Sequence, residues 1–378
     1  MSTHLPDGAR AVAIDILVHG PRSRAQLAKD MGSSAPTLTR LVKPLLAAGV
    51  LVETDAVPSP GRGRSSVPLD VVPDAWRFVG VKLTSETVYA VTTNLRAEVL
   101  DAETVDAPSR EVASVVATVS DVVGRLRRRA GRQVHGVGVT VGGLVEDGEM
   151  VAHSPFLDWA EVPFRGLLAA EIDVPVFLAN DVVGLTRAQQ WFGHGRDSRD
   201  FALVTVGAGV GYGLVMDDRL VPTTVAPVSH LAIDPHGPLC SWGHRGCMSS
   251  YVTSPAMTAA VGQAHRRSVT YDDVLALAEE GDAAARRVVD EAAHALGRAV
   301  SAITSLTGVA RIILSGEGVR LAELGRAALD AGRLEYPGAR TSAADPVVIR
   351  PMGFLEWARG AAVIAIQAVF PQPDTVLP

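Results

Sequence analysis

Residues 136–145 read GVGVTVGGLV. Valine recurs at every second position, threonine is the only hydroxyl residue, and no charge interrupts the run. β-Branched residues at a period of two make a strand, and their apolarity makes it a buried one. It runs into a glycine pair, Gly142-Gly143, where the backbone can turn tightly or approach a ligand.

Outward from this strand, strands alternate with helices. Upstream, FVGVKLTSETVYAVTTNL (78–95) and AEVLDAETVDA (97–107) contain three short strands in an antiparallel meander, and Arg110 to Arg129 form an amphipathic helix. Downstream, VPVFLAND (174–181) is an apolar strand ending in polar residues, and FALVTVGAGVGYGLVM (201–216) is a strand, a glycine-rich turn and a second strand. Ala283 to Leu306 is a long helix, ARIILSGEGV (310–319) a strand ending in a glycine turn, and Phe354 to Phe370 a closing helix. The two glycine-rich turns, GAGVGYG (207–213) and SGEGV (315–319), let backbone amides approach phosphates or sugar hydroxyls, but hairpin geometry alone explains such turns equally well. The first joins two strands instead of opening a helix, so it is no dinucleotide fingerprint.

The first 75 residues follow another pattern. Gly8 to Val18 carry apolar residues at helical spacing, and Gly20-Pro21 stops them. In SRAQLAKDMG (23–32), Ser23 is an N-cap and Leu27 and Met31 repeat at i, i+4. The next segment, SSAPTLTRLVKPLLAAG (33–49), opens with Ser33 and Ser34 and puts Leu38, Leu41, Val42, Leu45 and Leu46 on one face. Two short helices around a glycine turn spell a helix-turn-helix. A strand from Val50 to Glu53, a loop rich in Pro, Gly, Ser and Arg, and a returning strand from Val67 to Val72 add a wing. In such a module the second helix enters the major groove and the wing reaches phosphates or the minor groove. Ser34, Thr37, Thr39, Arg40 and Lys43 on the helix, and Arg62 and Arg64 on the wing, are the candidate DNA contacts. A helix-turn-helix serving protein contacts alone is the alternative, and it leaves the Gly-Arg-Gly-Arg wing without a purpose.

At 378 residues the chain is too long for one ordinary core. Hydrophobic residues at 47% and charged residues at 20% exclude a mostly disordered protein. The net charge of −6 hides an asymmetry: residues 1–75 hold eight Lys/Arg against seven acids, +1, which leaves −7 on the remainder. Two cysteines, Cys240 and Cys247, exclude a disulfide-built scaffold and suit a reducing compartment. The chain starts without a basic end followed by an apolar run, and no stretch has the roughly 18 apolar residues of a membrane span. A cytoplasmic protein without membrane contact is expected.

The ordered series of a winged helix-turn-helix, GVGVTVGGLV, SPFLDW (154–159), VPVFLAND, VTVGAGVGYGLV (204–215) and His-x9-Cys-x6-Cys (230–247) resembles the ROK family of repressors, open reading frames and kinases, over nearly the whole chain. The resemblance implies an α/β fold: a winged helix-turn-helix at 1–75 and a two-lobed, actin-like ATPase (ribonuclease H-like) effector-binding domain at 76–378. Its lobes would be roughly 76–180 with 354–378, and 181–353, with sugar bound between them. Family members with the DNA-binding module are mostly sugar-responsive repressors, and those lacking it are mostly sugar kinases.

Asn180-Asp181 matches the family's Asn-Asp pair, whose Asp is the base in kinases and a sugar ligand throughout; capping of the following helix is the structural alternative. Gly142, Gly143 and His230, with Val137 and Thr140, would also line the effector site. Family kinases carry Asp-x-Gly-Gly-Thr after the first strand, where this chain has Lys82-Leu83-Thr84-Ser85-Glu86, and Ala208 replaces a hydroxyl residue in GAGVGYG. ATP binding is therefore expected to be lost. The family's Glu-x-Gly-His is here Pro227-Val228-Ser229-His230, a second Glu is Ser249, and the Asn of a Pro-Asn motif is Phe156. Losing two carboxylates lowers affinity for vicinal hydroxyls, so the effector differs from the usual sugar or its binding has decayed.

The family's structural zinc sits in His-x9-Cys-x-Cys-Gly-x2-Gly-Cys. Here the middle cysteine is Trp242, which cannot ligate, and His244 is the candidate replacement, giving His230, Cys240, His244 and Cys247. Otherwise the cysteines survive as small buried residues. The sequence thus leads to a non-enzymatic regulator of carbohydrate genes, bound to double-stranded operator DNA as a homodimer or dimer of dimers, because one reading helix covers too few base pairs. An active sugar kinase and a ligand-independent DNA-binding protein are the alternatives.

Overall fold

A computed structural model describes residues 6–55, 67–222, 228–335 and 347–370. The chain divides into two compact units, residues 1–192 with 355–378, and residues 193–354.

The first unit opens with α1 (Asp7–His19), α2 (Arg24–Asp30) and α3 (Ala35–Ala47). Ser23 caps α2 in a reciprocal capping box with Gln26, and the Ser34 hydroxyl caps α3 by accepting the Thr37 N–H. Leu38, Val42 and Leu45 of α3 are buried, while Leu41 and Leu46 are half-buried, so the apolar face is narrower than the spacing suggests. Strands β1 (Leu51–Glu53) and β2 (Leu69–Val71) then pair antiparallel, as the base of a wing. Arg62 and Arg64, expected at its tip, lie outside the described residues.

A five-stranded sheet follows, ordered β10-β6-β3-β4-β5, from β3 (Phe78–Leu83), β4 (Thr87–Thr93), β5 (Val99–Asp106), β6 (Gly136–Val141) and β10 (Val176–Asn180). β3, β4 and β5 form the expected meander, and β6 runs parallel to both β3 and β10. Helix α4 (Val112–Ala130) buries Val115, Val119, Val122, Val123 and Leu126 against one face, and Gly131 ends it at φ +61°. Between β6 and β10 lie a small antiparallel sheet, β7 (Leu144–Glu146), β8 (Met150–Ser154) and β9 (Trp159–Val162), and helix α5 (Phe164–Glu171).

Period-two alternation sorts the strand residues. Val79, Val81 and Leu83 of β3 and Val137, Val139 and Val141 of β6 join the α4 core, so Gly80, Lys82, Gly138, Thr140 and Gly142 face the other way. That second face takes α6 (Asp181–Phe192) and the closing helix α13 (Phe354–Val369) at very short range. A Cβ on Gly138 would lie 1.8 Å from the Ala361 carbonyl oxygen, and one on Gly80 2.0 Å from that of Ala358. The cluster around Ala362, Ile366 and Phe370 of this layer continues into Ala9, Val12, Ile16 and Leu38, so the helix-turn-helix shares a core with the sheet's helical cover.

The second unit holds a sheet ordered β13-β12-β11-β14-β15: β11 (Phe201–Val206), β12 (Val210–Met216), β13 (Arg219–Val221), β14 (Ile312–Gly316) and β15 (Val347–Pro351). Helices α7 (Ser249–Val252), α8 (Ser254–His265), α9 (Tyr271–Glu279), α10 (Ala283–Thr307), α11 (Arg320–Leu324) and α12 (Arg326–Leu334) complete it. Asp282 caps α10 and Gly308 ends it at φ +72°. Glycines let α10 and α12 touch through their backbones: a Cβ on Gly297 would meet the Leu329 carbonyl at 2.1 Å. Among the described residues no helix is long and apolar enough to cross a membrane.

Candidate functional site

Three groups of candidate residues are held by these elements: the outer face of α3, the carboxyl ends of the sheet strands, and the loop carrying the two cysteines.

On α3 the buried stripe leaves Ser34, Thr39, Arg40 and Lys43 exposed and Thr37 half-buried. The Ser34 and Thr37 hydroxyls lie 2.9 Å apart, and the Thr39 hydroxyl donates to the Ala35 carbonyl at 2.9 Å. The basic residues of the module differ sharply in their partners. Arg22 is ion-paired with Asp30, and Arg24 with Glu53 at 2.6 Å. Among the described residues neither Arg40 nor Lys43 has a carboxylate partner, which leaves their charge available to an outside anion.

In the first unit, register brings Lys82, Thr140 and Ala179 side by side at the carboxyl ends of the parallel strands, where ligand sites of α/β sheets sit. Gly142, Gly143, Asn180 and Asp181 follow directly. The Lys82 ammonium is ion-paired with Asp181 and lies 5.3 Å from the centre of the Trp357 ring. Asn180 caps α6, accepting the Val182 and Val183 N–H groups at 2.8 and 3.2 Å, and donates to the Gly143 carbonyl at 2.7 Å. Asp181 also accepts the Val182 N–H, at 2.9 Å, so the capping role is realised alongside the ion pair. A Cβ on Gly142 would stand 2.9 Å from the Phe156 ring and 3.3 Å from Asp181 Oδ2, whereas one on Gly143 would strike the His153 carbonyl at 2.2 Å. Gly142 thus faces side chains, those of Phe156 and Asp181, and Gly143 faces backbone. Val137 and Thr140, expected to line a site, are wholly buried instead: Val137 packs against α4, and Thr140 lies against Gly184 of α6.

His230 belongs to the second unit and joins the cysteine loop. Its Nδ1 lies 3.7 Å from Cys240 Sγ, 3.6 Å from Cys247 Sγ and 3.2 Å from His244 Nδ1. All four donor atoms fall within 4.8 Å of one another. Tetrahedral zinc, with bonds of about 2.3 Å to sulfur and 2.0–2.1 Å to nitrogen, requires S–N and N–N separations of about 3.6 and 3.4 Å, so the set fits the metal. The loop is preshaped by the Cys240 N–H donating to the His244 carbonyl and the Gly243 N–H to the Cys240 carbonyl. Trp242 stacks on the His230 ring, centroids 4.2 Å apart, a role its position gave no sign of. Ser249 holds its hydroxyl 3.2 Å from Cys247 Sγ.

Elsewhere in this unit, the β11–β12 turn has an occupant of its own. The Glu317 carboxylate, from the SGEGV turn, accepts the Ala208 N–H at 3.1 Å, and a Cβ on Gly207 would lie 1.8 Å from its Oε1. The Ala208 amide of this turn is therefore satisfied by an internal carboxylate.

Comparison with known proteins gives a consistent set of relatives. Residues 78–338 match the profile described as the ROK family. A xylose repressor of Bacillus spizizenii is 23% identical over 308 residues, 79% of each chain. The DNA-binding transcriptional repressor Mlc of Escherichia coli K12 is 21% identical over 313 residues, covering 78% of this chain and 77% of its own. Among solved structures, a ROK family transcriptional regulator homologous to E. coli Mlc superposes with a TM-score of 0.79 at 22% identity, over 96% of both chains. A ROK family glucokinase from Streptomyces griseus, in complex with glucose and AMPPNP, gives 0.67 at 22% identity over 77% of this chain and 99% of its own.

Proposed function

Because the chain belongs to the ROK family, we propose that it is a sequence-specific DNA-binding transcriptional regulator, a repressor of carbohydrate uptake or catabolism genes, without kinase activity. The observation that carries this reading is the exposed face of α3. Among the described residues Arg40 and Lys43 have no carboxylate partner there, while Arg22 and Arg24 of the same module are internally paired. Both side chains are exposed on the face of α3 opposite its buried stripe, where they can reach phosphates and base edges.

Residues 1–75 act as the DNA-binding domain and 76–378 as a two-lobed effector domain. The kinase structure matches 77% of this chain against 96% for the regulator, a difference about the length of that N-terminal module. Against phosphoryl transfer stand two side chains. Lys82 neutralises the carboxylate at the position of the catalytic base, and the Glu317 carboxylate accepts the Ala208 N–H of the glycine turn. Transfer needs that base free and that turn open to anionic phosphates. His230, Cys240, His244 and Cys247 hold a structural zinc, which fixes the loop and supplies no chemistry. The protein works as a symmetric dimer on paired half-sites.

A second reading, DNA binding without an effector, is favoured by the same Lys82–Asp181 pair, since a sugar hydroxyl would compete with an ammonium for Asp181. Calorimetry across a panel of sugars separates the two. Genome-wide mapping of bound DNA tests the function itself: discrete peaks beside sugar transport or catabolic genes support it, and no enrichment over background refutes it.

A further inference from the structure

A pocket of about 490 Å³ lies within the first unit, where α1 of the helix-turn-helix meets α6 and α13. Arg10 of α1 and Arg187 of α6 both line it, together with Gln367 of α13 and the apolar side chains of Val183, Trp191 and Ile364. Among the described residues no carboxylate lines it. Among the described residues neither arginine has an ion-pair partner, and Arg187 donates a 3.3 Å hydrogen bond to the Gln190 side chain. Burial alone depresses the Arg187 pKa below its ordinary value. Among the described residues the buried Gln367 Nε2 has no hydrogen-bond acceptor.

These features share one deficiency, which is oxygen acceptors. A desolvated guanidinium without an anion is costly, and so is an orphaned buried amide donor. Arginine pairs convergent on a concave surface match the several oxygens of a phosphate or carboxylate. The volume exceeds what a bare inorganic anion fills and falls in the range of small-molecule sites, and the Trp191 and Ile364 walls suit an organic body.

We propose that this pocket is a second ligand site, separate from the Asp181 corner, that takes a small organic oxyanion, a phosphomonoester or a carboxylate, between Arg10, Arg187 and Gln367. Its ligand would bridge a helix of the DNA-binding module to the two helices covering the sheet. The binding itself does not depend on the DNA-binding reading, so the two stand or fall separately.

Isothermal titration of the full-length protein in chloride buffer at constant ionic strength tests it, with inorganic phosphate, glucose 6-phosphate, gluconate and glucose as probes. Saturable binding of at least one of the three anions is expected, weakened about tenfold or more by R187Q and by R10Q and less by R187K, which keeps the charge. Preference for glucose 6-phosphate or for gluconate distinguishes a phosphate source from a carboxylate one. R187K and R10Q guard against a folding defect in R187Q, and far-UV circular dichroism checks each variant. Failure of all three anions to bind overturns the proposal, as does binding that R187Q and R10Q leave unchanged. If no anion binds and R187Q instead flattens the salt dependence of DNA binding, the pocket belongs to the DNA backbone and the proposal is equally overturned.

Discussion

The Lys82 ammonium and the Asp181 carboxylate form an ion pair at the carboxyl ends of β3 and β10, with side chains only 7% and 13% exposed. They are 99 residues apart in sequence, and β6 lies between their strands and leads directly to Gly142. A charge this far from water depends on its partner. K82M and D181N should each destabilise the protein by about 3 kcal/mol, because each strands a buried charge. K82M/D181N, which strands none, should recover at least half of the summed loss. Urea denaturation of the four proteins reads both effects. Single variants within about 0.5 kcal/mol of the wild type would mean that the pair is solvated.

The cysteine loop gives a metal prediction. Protein purified without chelator should carry about one zinc per chain, and C247S or H244A should carry less than about a tenth of that. Cobalt substitution should give the intense d–d bands of a tetrahedral site with thiolate charge transfer, absent in both variants. Full zinc content in H244A would remove that histidine from the ligand set.

His135 makes stability depend on pH. Its ring packs 4.6 Å from that of Trp76, and its Nδ1 accepts the Arg77 N–H at 3.2 Å, which only the neutral imidazole can do. Burial, the largest influence, holds the pKa below the ordinary histidine value, helped by the Arg77 charge and opposed by a hydrogen bond with the Arg77 backbone. With a folded pKa below the unfolded one, the unfolded chain binds more protons between the two. Stability is then complete above about pH 6.5 and falls as the pH drops below it. The urea midpoint should decline less between pH 7.5 and pH 5.5 in H135Q than in the wild type. Equal declines would exclude His135 as the titrating group.

Glycine sites on β6 and just beyond it should respond unequally. Gly138→Ala drives a methyl to within 1.8 Å of the Ala361 carbonyl, backbone that cannot retreat, and should cost about 3 kcal/mol or more, or abolish soluble expression. Gly142→Ala meets the Phe156 ring, a side chain 41% exposed that can swing away, and should cost under about 1 kcal/mol. Thermal denaturation ranks the two, and the reverse order would contradict the close packing of α13.

Much of this architecture was written in local patterns. Alternating valines gave β6, the three meander strands and their order, and serines before apolar stripes gave α2 and α3, because periodicity and capping act over a few residues. The small β7–β8–β9 sheet escaped, since its strands of three to five residues carry too few alternations to register. The relations that shape the sites escaped for another reason. The substitution of Lys82 was visible as a missing carboxylate, but that its ammonium reaches Asp181 is a fact of strand order. Glu317 on Ala208 spans 109 residues, and the stacking of Trp242 on His230 depends on the fold of one loop. His244 was reachable because its spacing to Cys240 and Cys247 is local.

Arg40, exposed on α3 and without a carboxylate partner among the described residues, carries the central claim, and DNA affinity measures it most directly. Duplexes selected by the wild-type protein from a genomic library should bind it in fluorescence anisotropy with strong salt dependence. R40A should weaken binding to the selected site by about 1–3 kcal/mol and relax its sequence preference, while K43A should weaken all duplexes alike and lower the salt slope by about one. Failure to select any duplex, or a selected site bound by R40A and K43A as tightly as by the wild type, would contradict the assignment of α3 as the reading helix.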